Sequence, residues 1–164
     1  MVSKRGLLST SEYSRVYRGT YEGKDVAIEQ IDRKEIKLDF EVIKKRINHP
    51  WVVTIYNNFE NEDYYFIVTE LTDNFENLKE RLRKKGKFDE VTTRALFKLY
   101  FSALRALNNP KLLSRIDITS KNVIYSESTK TLKLSNYYIL QDTNNSIATI
   151  LFEMRFAQIP TPET

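Results

Sequence analysis

The chain has 164 residues, of which 41% are hydrophobic and 29% charged, and its formal charge of +4 is mild, so one globular domain is predicted and a fibrous or disordered protein is excluded. It has no cysteine and a single histidine, His49, which argues against a disulfide framework, a cysteine- or histidine-ligated metal site and a Ser-His-Asp triad. No apolar run is long enough for a signal peptide or a membrane span, so we expect a cytoplasmic protein without a membrane partner.

The first third of the chain has the pattern of a strand meander. A short strand around 7–9 is followed by SRVYRGTY at 14–21, a turn at EGKD and a second run, VAIEQI, at 26–31. The period then changes to that of a helix over 34–47, which ends before Pro50. Its apolar stripe consists of Ile36, Phe40, Ile43 and Ile47.

Two further strand patterns, at 51–59 and 63–71, complete five strands with one helix after the third, which predicts an α+β fold. Asn74 is the predicted cap of a helix at 75–85 that Gly86 closes. The basic run KERLRKKGK at 79–87 has no interleaved aromatic residues, so it is interpreted as a solvated helix face, and no nucleic-acid partner is expected.

A longer amphipathic helix follows this basic run. Its apolar stripe consists of Leu96, Leu99, Tyr100, Ala103, Leu104 and Leu107. Beyond Pro110 the pattern indicates a loop and two short strands near 123–125 and 132–134.

Several short strings resemble, in order and spacing, the motifs of the protein kinase family. STSEYSRV is similar to the glycine-rich loop, with serines at its three glycine positions and Val16 at its valine. VAIE is similar to V-A-I-K, which places Glu29 at the position of the lysine. HPWVV and IVTEL are similar to the segment after the family's first helix and to its fifth strand and hinge.

The second half of the chain continues the resemblance. RIDITSKN is similar to the catalytic loop, with Asp117 and Asn122 in their family positions. LKLSNYYI is similar to the segment that carries D-F-G, with Asn136 at the aspartate, and TPE at 161–163 is similar to A-P-E.

The resemblance implies an α+β, protein kinase-like fold in a single domain over 1–164. The N-terminal lobe, five strands and one main helix, would span 1–70, the hinge 71–73, and a partial, mainly helical C-terminal lobe 74–164, ending at the activation segment. Because the helices that complete the family's C-terminal lobe are not found in this sequence, we expect a truncated member whose apolar surface is rearranged, exposed or covered by a partner.

The resemblance assigns degenerate chemistry to the cleft. In the family, the lysine at the position of Glu29 pairs with phosphate, and at about 4 Å with an effective dielectric of about 20 each reversed unit pair is worth roughly 4 kcal/mol. Asn136 and Asn122 stand at the family's metal positions. The amide of Asn136 is a poorer Mg²⁺ ligand than the aspartate it replaces, and Asn122 could still coordinate a metal but alone makes a weak site, so no metal is expected. Asp117 would be the catalytic base, although a loop aspartate that bonds nearby backbone explains it equally well.

Other residues correspond to the walls of the family's adenine site. These are Val16, Ala27 and Ile124, with Thr69 as the gatekeeper and the hinge from Glu70 to Thr72. A core-filling role would also account for them. The acidic helix partner of residue 29 is Asp39 or Glu41; we favour Asp39, and we expect it to repel Glu29 unless the helix is displaced or Glu29 turns to Lys37 or Lys44.

With these substitutions, the resemblance implies a pseudokinase, a catalytically impaired homologue that regulates by binding another protein or a second copy of itself. Two alternatives stay open. One is an active protein kinase that uses Asp117 as its base, and the other is a module that binds ATP without metal or turnover. The expected cofactor is therefore none, or ATP without Mg²⁺.

Overall fold

A five-stranded antiparallel sheet forms the first half of the structure, a computed structural model that describes residues 2–113, 115–116, 119–140 and 147–156. Asp117 and the TPE string at 161–163 lie outside the described residues. In chain order, the strands are β1 Val2–Thr10, β2 Ser14–Tyr21, β3 Lys24–Asp32, β4 Lys37–Leu38, β5 Ile55–Glu60, β6 Tyr64–Glu70, β7 Glu76–Asn77, β8 Val123–Ser126, β9 Thr131–Leu134 and β10 Ile139–Leu140. The helices are α1 Phe40–Lys45, α2 Leu78–Lys85, α3 Glu90–Leu107, α4 Pro110–Leu113 and α5 Ile147–Phe156.

The sheet has the order β1-β2-β3-β6-β5, so the central strand is β3. A two-residue loop joins β2 to β3, and both of its residues, Glu22 and Gly23, have positive φ, of 50° and 76°. This is the loop that matches the twist of a hairpin, and the predicted turn at EGKD is confirmed. The predicted α+β order, with a helix between the third and fourth strands of this sheet, is confirmed as well.

The helix predicted over 34–47 is wrong in its extent, because α1 covers only Phe40–Lys45. The side chain of Asp39 caps its N-terminus by accepting a hydrogen bond from the Val42 N–H, and Arg46 ends it in the left-handed conformation. The residues before Asp39 form β4 instead, which pairs with β10 from the far end of the chain. Strand pairing with a distant segment therefore overrides the local helical period.

The second half of the structure is mainly helical. Asn77, rather than the predicted Asn74, caps α2 by accepting hydrogen bonds from the N–H groups of Lys79 and Glu80. Gly86 closes α2 as predicted, with its N–H bonded to the Leu82 carbonyl. The predicted stripe of α3 is largely buried: Leu96, Tyr100, Ala103, Leu104 and Leu107.

One apolar core runs from the inner face of the sheet through α3 to β8, β9 and α5. Helix α5 contributes Ile150 and Met154, and its buried Glu153 accepts a hydrogen bond from the Ser120 N–H at 2.8 Å. Within the part of the chain that the structure describes, no helix is both long and apolar enough to cross a membrane.

Gly19, on β2, marks a close approach of this strand to its two neighbours, β1 and β3. A Cβ atom there would lie 2.3 Å from the Ser3 carbonyl oxygen and 2.4 Å from Cδ1 of Ile28. We expect Gly19→Ala to lower the free energy of unfolding by about 1–3 kcal/mol, because strand backbone must move to admit the methyl group. Urea titration measures this change.

Gly6→Ala is the matched control for this substitution. Gly6 lies on the neighbouring edge strand β1, and a Cβ atom there meets nothing within 4 Å, so we expect its effect to stay below about 0.5 kcal/mol. Equal urea midpoints for the two variants would contradict the close packing of β1 on β2.

Candidate functional site

A cleft of about 850 Å³ lies between the sheet and the helical half. Its lining includes six of the residues predicted from the sequence to form a ligand site: Val16, Ala27, Glu29, Thr69, Thr72 and Ile124. Asn136 lines it too, whereas Glu70 and Asn122, both described, do not. Glu70 instead accepts a hydrogen bond from the Thr54 N–H at 2.9 Å and pairs with Lys133 at 2.7 Å.

Glu29 lies at the inner end of this cleft. In the central strand β3 it stands opposite Val16 on one side and Ile67 on the other, and only 7% of it is exposed. The Tyr138 hydroxyl donates a hydrogen bond to its Oε2 atom at 2.5 Å. The strand therefore delivers a carboxylate into the protein interior, where a tyrosine meets it.

Burial controls the protonation of both members of this pair. It raises the pKa of the Glu29 carboxyl, and the hydrogen bonds from Tyr138 and Ser14 offset only part of that rise. Burial, and then the charge of Glu29, raises the pKa of Tyr138 well above its ordinary value. Tyr138 is therefore a neutral donor at physiological pH, and its hydroxyl proton stays in the pair.

Neither acidic candidate on the first helix meets Glu29. The Asp39 carboxylate caps α1 and accepts from the Val42 N–H at 3.0 Å, while Glu41 is exposed and lies 3.9 Å from Lys44. The expected repulsion between Asp39 and Glu29 is therefore wrong. Among the described residues, the hydrogen-bond partners of Glu29 are Tyr138 and Ser14, and not Lys37 or Lys44, the cations offered as an alternative.

The segment after β9 holds the tyrosine in place. Asn136 takes the left-handed conformation, with φ of 52°, and its carbonyl accepts from the Ile139 N–H at 3.0 Å. Tyr137 is buried and donates from its hydroxyl to the Val53 carbonyl at 2.8 Å. The two adjacent tyrosine rings meet edge to face at 5.5 Å, so the buried Tyr137 packs against Tyr138, which lines the cleft.

The turn between β1 and β2 uses its own polar groups. The Ser11 N–H donates to the Ser14 carbonyl at 2.8 Å, and the Ser14 N–H donates to the Ser11 hydroxyl at 3.1 Å. The two hydroxyls are 2.9 Å apart. Both backbone N–H groups are therefore hydrogen-bonded within the turn. An anion could bind them only by displacing these bonds.

The charges of the cleft are mainly negative. Its acidic residues are Glu29, Asp73 and Glu80, of which Asp73 is paired with Arg18, and its basic residue is Lys121. Across the described ranges there is no group of three His, Cys, Asp or Glu side chains placed to hold a metal ion. The amide of Asn136 is a weak oxygen ligand, so these residues do not fit Mg²⁺.

Tyr138 is the site residue that sequence reasoning missed. It stands at the glycine of the family's D-F-G string, and a bulky phenol at a glycine position was the available signal. Val53 and Lys121 also line the cleft without having been predicted. Both lie in strings already matched to family motifs, Val53 in HPWVV and Lys121 in RIDITSKN, so their place in those motifs was the available signal.

Comparisons with known proteins agree with this architecture. The family model of the protein kinase domain matches residues 4–156. Calcium-dependent protein kinase 5 of Plasmodium berghei is 32% identical over 111 residues, which cover 65% of this chain and 19% of that protein. The probable serine/threonine-protein kinase fhkD of Dictyostelium discoideum is 29% identical over 135 residues, 76% of this chain and 18% of that protein.

A solved structure shows the same fold. The crystal structure of Rad53 in complex with AMP-PNP superimposes with a TM-score of 0.74 at 14% identity, over 96% of this chain and 49% of that one. The chain spans about a fifth of the length of the curated relatives it matches. Because the domain model covers nearly the whole sequence and the fold agrees with it, this chain belongs to the protein kinase domain family.

Proposed function

We propose that this chain is a catalytically impaired kinase homologue that regulates by binding other proteins. The observation that carries the proposal is the buried Glu29, which accepts a hydrogen bond from Tyr138 on the strand where the family places its phosphate-binding lysine. Phosphoryl transfer depends on cations and oriented donors around the phosphates. Whether protonated or ionised, Glu29 supplies no cation.

Two further features support impaired catalysis. In the serine turn between β1 and β2, two backbone N–H groups are hydrogen-bonded within the turn. The amide of Asn136 stands where the family has a metal-binding carboxylate. Each feature alone would weaken phosphate binding. Together they remove the cation, the donors and the metal that stabilise the transferred group.

Exposed apolar side chains support the protein-binding half of the proposal. Leu7 and Leu8 are 57% and 47% exposed on β1, an edge strand of the main sheet. Large apolar residues exposed beside an open strand edge are typical of surfaces that pair with another chain. A second copy of the chain is one candidate partner, and light scattering on the purified protein would detect it.

A specific observation favours a second candidate, an ATP-binding module without metal or turnover. The cleft still has about 850 Å³ of space, and Val16, Ala27 and Ile124 supply apolar walls. This volume lies within the roughly 300–1,000 Å³ of ordinary ligand sites. A flat base would fit between these walls, although the end of the cleft near Glu29 is unfavourable for phosphate binding.

The proposal predicts that ATP does not raise the unfolding temperature, with or without Mg²⁺, because Glu29 offers the phosphates no cation at this end of the cleft. A ligand at about 100 times its dissociation constant would add roughly 2.7 kcal/mol, which a thermal shift experiment resolves. A metal-independent shift would favour the ATP-binding module. A Mg²⁺-dependent shift with phosphotransfer that Asp117→Ala abolishes would contradict the proposal.

Glu29→Lys tests the residue on which the proposal depends. We expect the free energy of unfolding to fall by about 1–3 kcal/mol, because the bond to Tyr138 is lost and the buried hydroxyl must find another partner. We also expect tighter ATP binding, because a lysine would place a cation at the phosphate end of the cleft. Glu62→Lys makes the same charge change at an exposed turn and should do neither. If stability and ATP binding are unchanged in Glu29→Lys, Glu29 does not have this role.

The pH dependence of stability follows from burial of Glu29. Because its pKa is higher in the folded than in the unfolded state, the native protein keeps a proton that the unfolded chain has released. Stability therefore falls as pH rises from the unfolded value, about 4.3, through the folded pKa. Glu29→Gln cannot titrate, so we expect its stability relative to wild type to increase with pH in this window.

Urea titrations at a series of pH values between about 4 and 8 would measure this difference, which spans the unfolded value for glutamate. Glu62→Gln is the control, since it removes one carboxylate from an exposed turn. A stability difference between Glu29→Gln and wild type that is constant over the whole series would rule out the burial effect.

A further inference from the structure

A second surface feature, away from the cleft, is a groove between α3 and the loop that follows α1. It has a volume of about 430 Å³ and is lined by His49, Lys98, Phe101, Ser102, Arg105 and Ala106. On α3, residues 101, 102 and 105 follow Lys98 by three, four and seven positions. They therefore share one face of the helix.

The charges of this groove are all of one sign. Lys98 and Arg105 are exposed, and no acidic residue lines the groove. Neither side chain has an ion pair with any other described residue, whereas Arg94, on the preceding turns of α3, is paired with Glu90 at 2.8 Å. The two cations are therefore available to an acidic ligand.

His49, which lines the groove, orients a third hydrogen-bond donor, the hydroxyl of Ser102. The Trp51 N–H donates to Nδ1 of His49 at 3.2 Å, so this nitrogen carries no proton in the neutral ring. The proton then lies on Nε2, which is 3.2 Å from the Ser102 hydroxyl and donates to its oxygen. With its oxygen serving as an acceptor, Ser102 keeps its own hydroxyl proton for another acceptor.

An apolar contact occupies the centre of the groove. Phe101 is 46% exposed and stacks on Phe97 at 6.4 Å, which holds the ring on the helix surface. Seven residues of helix place Lys98 and Arg105 about 10 Å apart along the axis, on either side of this ring. The face thus presents an aromatic ring flanked by positive charges.

We propose that this groove binds an acidic segment of a partner protein. Its carboxylates pair with Lys98 and Arg105, an apolar side chain covers Phe101, and the Ser102 hydroxyl donates to a carboxylate or a backbone carbonyl of the segment. The inference rests on the proposed function, in which the chain acts by binding proteins, and it adds a place and a chemistry for the partner. Charge complementarity around an aromatic anchor is typical of such interfaces.

A nucleic acid fits the groove less well than an acidic peptide. Affinity for a nucleic-acid backbone grows with the number of phosphates that are neutralised, and two cations neutralise few. Single strands also need several aromatic side chains for successive bases, and the lining provides Phe101 alone. An oligonucleotide is therefore the competing probe for this groove.

The test uses the peptide Glu-Glu-Phe-Glu-Glu-amide with fluorescein on its N-terminal amine, its glutamine analogue and an oligo-dT strand with the same label, each added to the whole chain. Fluorescence polarisation measures affinity, and amide NMR shifts locate the site. We expect the acidic peptide to bind with shifts on α3 at residues 98–106, and the glutamine analogue to bind weakly. Lys98→Glu and Arg105→Glu should each weaken binding about tenfold, the effect of roughly 1.4 kcal/mol.

Lys87→Glu is the control, because Lys87 is an exposed cation outside the groove and its reversal makes the same change in net charge. Binding in this variant should equal that of wild type, and circular dichroism would check that each variant folds. The inference is overturned if no peptide binds, if Lys87→Glu weakens binding as much as Lys98→Glu does, or if oligo-dT binds this face more tightly than the peptide. None of these results bears on whether ATP binds or phosphate is transferred, so a failure of this inference is separable from a failure of the proposed function.

Discussion

The hydrogen bond from Tyr138 to the Glu29 carboxylate is the interaction on which the cleft depends. A carboxylate buried in a central strand is costly unless a donor meets it, and Tyr138 supplies that donor at 2.5 Å. The tyrosine comes from the helical half and the glutamate from the sheet. The same bond that makes the buried acid tolerable therefore joins the two halves of the domain across the floor of the cleft.

Several backbone bonds reinforce this connection. The Asp39 N–H donates to the Tyr138 carbonyl at 2.8 Å, directly before the first helix begins. The adjacent pairing of β4 with β10 continues the contact, and Tyr137 reaches the Val53 carbonyl from the other side. The short helix α1, the two tyrosines and the central strand thus form one connected unit, which leaves α1 little freedom to approach Glu29.

Under the proposed function, this arrangement would separate two properties that the kinase fold usually combines in one cleft, space for a base and charges that bind phosphate. The space between the halves is retained, with apolar walls, whereas the end that would receive phosphate holds an acid, a phenol and a turn whose serines bond to each other. In the function proposed above, a cleft of this kind would keep the fold's architecture without the cations that bind phosphate. The basic groove on α3 lies outside this unit, so partner binding there would not require the cleft to change.

Local sequence patterns were sufficient for most elements of the fold. Alternation and turn chemistry predicted the hairpin with its Gly23 turn, and the apolar stripe of α3 predicted a buried helix face, because these signals arise within a few residues of each other. Local patterns were insufficient where a distant segment competes for the same residues. The helical period over 34–47 predicted a helix where β4 forms, because β4 pairs with β10, a hundred residues later in the chain.

The sequence by itself determined that this chain has a kinase fold and that the strand position of the family's lysine carries a glutamate, since both follow from the order and identity of residues. Only the tertiary structure decided how that glutamate is accommodated. Tyr138 lies 109 residues from Glu29 along the chain, and Asp39, expected to face Glu29, caps a helix instead. The partner of a buried charge is set by three-dimensional packing, which no local pattern encodes.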